Sequence, residues 1–100
     1  AELLRAMRRV RASVAGSFPH SQCMRTAQAL LADVRKLGLD HRLGRCSLVE
    51  GRFCAAPERR ARWSPHCYLR FEDGSICDVT ADQFGAFPQL WWPAEPAHYS

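Results

Sequence analysis

What this 100-residue sequence lacks narrows its class before any motif is read. It has no apolar run long enough to span a bilayer and no signal-peptide pattern, so no membrane partner is expected. It has no initiator Met, which suggests a trimmed protein or a domain cut from a longer chain. The expected location is cytoplasmic, or inside a target cell after delivery or secretion as part of a larger protein. No two cysteines show C-x-x-C spacing, so a zinc site would need chance assembly from Cys46, Cys54, Cys67 and Cys77 with His66 or His20. Neither a metal nor a cofactor is expected. The five cysteines are an odd number, which leaves a free thiol even if those four pair and excludes a fully bridged secreted scaffold. There is no internal repeat, and the length supports one domain, residues 1–100, with a single core.

Lysine is almost absent as well: Lys36 is the only one, so the net charge of +4 is carried by arginine. Arg5, Arg8, Arg9 and Arg11 read as the polar side of a helix over residues 2–14 whose apolar stripe is Leu3, Met7, Val10 and Val14. Arg59, Arg60 and Arg62 cluster in a loop between Pro57 and Pro65. Such faces can meet phosphates or an acidic surface, but more often they are simply solvated.

After a turn at Gly16–His20, a second and longer helix is predicted from Ser21 to Leu37, with Ser21 as N-cap and Gly38 as stop. Its inward stripe is Cys23, Ala27, Leu30, Val34 and Leu37. Beyond Gly38 the pattern becomes that of strands. Leu43–Val49 and Arg52–Ala56 are expected as two short strands around Glu50-Gly51, and Cys67–Phe71 and Ser75–Thr80 as a hairpin. The fold class is therefore α+β, N-terminal helices packed on a small antiparallel sheet. The tail from Phe84, rich in proline and aromatics, is expected to run extended over a sheet face or edge.

The hairpin register bears on chemistry. A two-residue Asp73-Gly74 turn would put His66 and Asp78 on opposite faces and mix polar with apolar residues on both. A three-residue loop, Glu72-Asp73-Gly74 with the glycine left-handed, pairs Phe71 with Ser75 and Tyr68 with Asp78. One face then collects Cys67, Leu69, Phe71, Cys77 and Val79, while the other carries His66, Tyr68, Arg70, Ile76, Asp78 and Thr80. His66 is diagonal to Asp78, about 7 to 8 Å away between backbones and within side-chain reach.

Cys23 opens the second helix, where unpaired N–H groups and the macrodipole favour thiolate over thiol. A buried, inert cysteine at the head of a core stripe is the plainer account of that residue alone. With His66 and Asp78 on one front, the three match a nucleophile, a base and an orienting carboxylate.

In this order, a cysteine at a helix start, a histidine beginning a strand in His66-Cys67-Tyr68-Leu69 and an aspartate in Asp78-Val79-Thr80, the chain resembles the papain-like superfamily, nearest its small transglutaminase-like and protein-deamidase branches. The resemblance spans Ser21 to Gln83 and implies a papain-like or transglutaminase-like core and a Cys-His-Asp thiol enzyme. It implies attack on an amide through an acyl-enzyme, as in protein glutamine deamidation, peptide hydrolysis or acyl transfer. Cys23 would be nucleophile, His66 base and acid, and Asp78 orienter, with backbone N–H groups near Cys23 and the Gln22 side chain around the oxyanion. Trp63 would wall the cleft. Asp82 and Gln83 are spare candidates for orienter and oxyanion donor, and His20 is an alternative base.

The chain departs from papain-type proteases in having no asparagine, so only an acidic third member is available; Met24 rather than an aromatic follows Cys23, and no glutamine lies several residues upstream, where papain-type proteases place their oxyanion donor. A toxin or effector domain with a protein or peptide substrate, held in check by an inhibitory or immunity partner, fits this small basic chain by analogy. The alternative is a noncatalytic module whose arginines bind nucleic acid or an acidic protein, disfavoured by the lack of interleaved exposed aromatics and of any binding motif.

Overall fold

Apolar residues at helical spacing turn inward as expected. In the computed structural model, which describes residues 2–16 and 21–100, helix α1 (Glu2–Val10) buries Leu3, Ala6, Met7 and Val10. It continues into a π-helical turn over Arg11–Ala15, where Gly16 N–H donates to Arg11 O at 2.7 Å. Arg11 is not on the solvated side: it is buried, and its guanidinium donates four hydrogen bonds within the fold. The reason is positional, since Arg11 stands four residues past Met7 and so falls on the apolar stripe.

Helix α2 (Cys23–Lys36) buries Thr26, Ala27, Leu30 and Val34, whereas Leu37, expected on the same inward stripe, caps the helix beyond its last turn and is exposed. It begins two residues later than the sequence suggests. Ser21 has φ 63°, outside the extended conformation from which a serine caps, and Gln22 takes the cap position without a side-chain bond. Gly38, at φ 69°, stops the helix and leads into the short α3 (Leu39–Arg42).

Four strands form one antiparallel sheet in the order β1-β2-β3-β4: β1 (Cys46–Phe53), β2 (Ser64–Phe71), β3 (Ile76–Asp78) and β4 (Trp91–Ala94). The two expected strands around Glu50-Gly51 are a single strand, with Gly51 paired to His66 inside the ladder. Gly51 marks a close approach rather than a turn: a Cβ there would lie 2.1 Å from Ser100 O.

The hairpin has the three-residue register. Leu69 pairs with Cys77 and Arg70 with Ile76, Phe71 N–H donates to Ser75 O, and Gly74 has φ 90°. β3 is shorter than expected, because Thr80 leaves the ladder to bond back to Asp78.

Both faces of the sheet are covered. Leu69, Phe71, Cys77 and Val79 pack against Met7, Leu30 and Val34 of the helices. Tyr68 and Ile76 pack instead with Phe53, Ala81, Ala94 and Tyr99. The tail does more than cross the domain: it adds β4 to the β3 edge and then returns to β1, where Arg52 and Ser100 exchange backbone bonds and Cys54 N–H donates to His98 O. Both sheet edges are thereby engaged by one segment. No helix among the described residues is long and apolar enough to cross a membrane.

Candidate active site at the head of helix α2

Cys23 is the first residue of α2, and its half-buried thiol meets the sheet where β2 begins. Interaction with His66 lowers its pKa; burial opposes this, and the Cys67 backbone N–H, donating to the sulfur, reinforces it. The absence of a side-chain cap at Gln22 leaves first-turn N–H groups uncapped around the thiol.

His66 is buried on β2. Its Nε2 lies 2.7 Å from Asp78 Oδ2, and since an ionised carboxylate only accepts, Nε2 carries the proton and Nδ1 faces away from Asp78. Burial pulls the imidazole pKa down, but the Asp78 hydrogen bond and the neighbouring Cys23 outweigh it and raise the value to about 9. A lowered thiol beside a raised imidazole is the electrostatic condition for a thiolate–imidazolium pair.

Asp78 is the most fully bonded group of the site. Oδ2 accepts from His66 Nε2 and from Tyr99 Oη at 2.8 Å, while Oδ1 accepts from Thr80 N at 2.9 Å and Thr80 Oγ1 at 3.3 Å. Four donors satisfy a buried carboxylate and fix its orientation. Tyr99 stays a donor because burial, followed by the Asp78 charge, raises its pKa far above the ordinary value.

The remaining candidates fall in different places. Gln83, on the 3-10 turn Ala81–Phe84, brings its Nε2 to 3.4 Å from His66 Nδ1, the side away from Asp78. Gln22 adjoins Cys23 as the cap of α2, and its Oε1 is buried without a hydrogen-bond partner among the described residues. Trp63 is exposed just ahead of β2 and does not line the narrow crevice beneath Cys23, whose walls include Ala27, Cys67, Leu69 and Asp78. Asp82 pairs instead with Arg11, so among the described residues Asp78 is the only carboxylate bonded to His66. His20 lies outside the described residues.

All five cysteines are free, but they are not equivalent. Burial pushes Cys46 up to about 11 and Cys77 well above the ordinary value. Cys67, beside Cys23, rises to about 11 through burial and the neighbouring Cys23. Among the described residues no three side chains are grouped to hold a metal ion.

Sequence reasoning missed Tyr99 and Arg11. Tyr99 gave no local signal, because only the return of the tail to β1 brings it to Asp78. Arg11 did give one, its place on the stripe of Leu3 and Met7. No family model matches the chain, and no curated protein and no solved structure matches it.

Proposed function

We propose that the chain is a thiol enzyme that cleaves amide bonds through an acyl-enzyme, with side-chain glutamine of a protein or a peptide bond as substrate. The observation that carries this reading is the buried His66–Asp78 contact of 2.7 Å, set beside a helix-start thiol whose pKa is lowered chiefly by that histidine. The Cys23 thiolate attacks the carbonyl carbon, and the oxygen gains negative charge next to the uncapped N–H groups of α2. His66 gives its proton to the departing nitrogen as the C–N bond breaks, leaving a thioester. It then takes a proton from water, whose hydroxide releases the carboxylic acid and restores the thiolate. Asp78 holds the ring in one tautomer throughout. Cys23 at the first turn of a helix packed on an antiparallel sheet, with His66 and Asp78 on neighbouring strands, also supports a papain-like or transglutaminase-like core.

The test is limited alkylation with iodoacetamide from pH 5 to 9, read cysteine by cysteine by peptide mass spectrometry, in wild type and His66→Ala. Selective labelling of Cys23 at neutral pH, lost in the variant, is expected. Ammonia release from glutamine peptides against new N-termini from casein then separates deamidation from proteolysis, with Cys23→Ser as blank. Equal reactivity of Cys23 and the other four thiols would end the proposal.

A further inference from the structure

We infer that Arg11 is a positioning residue for the Cys23–His66 pair, acting through the Ala81–Phe84 turn that carries Gln83. The inference deepens the thiol-enzyme reading but stands on its own geometry. An arginine 5% exposed needs acceptors for its fork, and four of its five N–H groups have them: Nε donates to Gly16 O at 2.8 Å, Nη1 to Val79 O at 2.9 Å and Asp82 Oδ1 at 2.6 Å, and Nη2 to Asp82 Oδ2 at 2.8 Å. The choice of acceptors is what gives the residue a role. Val79 follows Asp78, Asp82 precedes Gln83, and Gly16 lies on the chain leading into α2 and Cys23. One guanidinium therefore fixes backbone or side chain next to the orienting carboxylate and next to the amide facing His66 Nδ1, and also holds Gly16 at the end of the π-helical turn. The π-helical turn at Arg11–Ala15 is the local distortion from which Arg11 reaches both Gly16 and Val79. A lysine would keep the charge but lose the planar fork that holds the three segments together.

The experiment follows the His66 imidazole by NMR titration, together with the Cys23 alkylation rate at pH 7, in wild type, Arg11→Met, Arg11→Lys, Gln83→Ala and the double variant Arg11→Met/Gln83→Ala. Val34→Ala, in the core away from the site, is the stability control. Arg11→Met is expected to move the His66 titration away from about 9, and to slow Cys23 alkylation about tenfold or more. Arg11→Lys fails to restore either, and the Arg11 and Gln83 effects are less than additive because both act through one turn. If Arg11→Met does not fold, Asp82→Asn, similar in size, carries the same comparison.

A folded Arg11→Met with an unmoved His66 titration overturns the inference. So does a shift equal to that of Val34→Ala, since it would reflect lost stability alone. The thiol-enzyme reading fails separately, through an unreactive wild-type Cys23, while the NMR titration still reports on Arg11.

Discussion

The two faces of the sheet are buried to similar depth by opposite means. On the helix face, Leu69, Phe71, Cys77 and Val79 meet Met7, Leu30 and Val34 in an apolar cluster, with the buried Arg11 bonded to Val79 O beside it. On the tail face, His66 and Asp78 are as deeply buried as those leucines, and every polar atom of Asp78 is bonded. Packing holds the side chains of the first cluster, and their losses are graded. The second holds an ionisable pair that water would otherwise solvate, so its losses are coupled: removing one donor alters the charge state of its neighbours.

The comparison is broken most severely at Asp78. Asp78→Ala leaves His66 and Tyr99 without their shared acceptor and is expected to cost about 3 to 5 kcal/mol, as for breaking a buried pair by removing one partner. Urea unfolding should show the loss, and Cys23 should alkylate no faster than an ordinary thiol. Next comes Leu30→Ala on the helix face, expected to cost about 2 to 5 kcal/mol in the same assay. It touches only packing, so the His66 titration should stay near 9. Tyr99→Phe removes a single hydroxyl from the carboxylate and is expected to cost about 1.5 to 3 kcal/mol. Unlike Leu30→Ala, it should also change the His66 titration, and a change in stability alone would erase the distinction between the faces.

The smallest effect is in pH dependence. His66, raised from 6.5 to about 9, contributes stability that is complete below 6.5 and lost as pH rises through 9. Cys23, lowered from 9.0, contributes stability that is complete above that value and lost as pH falls through its folded pKa. Between the folded pKa of Cys23 and 9 the two slopes oppose one another, so wild type should decline less steeply there than His66 alone would make it. Cys23→Ser removes the Cys23 limb together with the part of the His66 rise that Cys23 supplies, so equilibrium denaturation at pH 6.5, 7.5 and 8.5 should show the decline that the Asp78 bond alone sustains. A flat variant would mean that Asp78 without the thiol does not hold the proton on His66.

The parts of this molecule legible in the sequence are those that local periodicity controls. The stripe of α2 and the hairpin register follow from side-chain spacing, and the register alone brings His66 and Asp78 to one face. What was not legible depends on distant segments. Glu50-Gly51 looks like a turn because glycine is read as freedom of the backbone, whereas here it provides room for Ser100. Ser21 looks like a cap because its side chain suits one, but its backbone is left-handed. Arg11 reads as solvated because charge outweighed its place on the stripe, and only Asp82 and Val79, far along the chain, make burial there tolerable.

The return of the tail to β1 also has a consequence for the order in which the site is assembled. The nucleophile and the helix that bears it leave the ribosome early, and the histidine and its carboxylate follow. Tyr99, which completes the carboxylate, is made after all of them, and its docked position sets Ser100 against the bare backbone of Gly51. Nascent chains that stop short of residue 99 contain Cys23, His66 and Asp78 but not the finished charge arrangement. Completion of the site is therefore tied to completion of this segment.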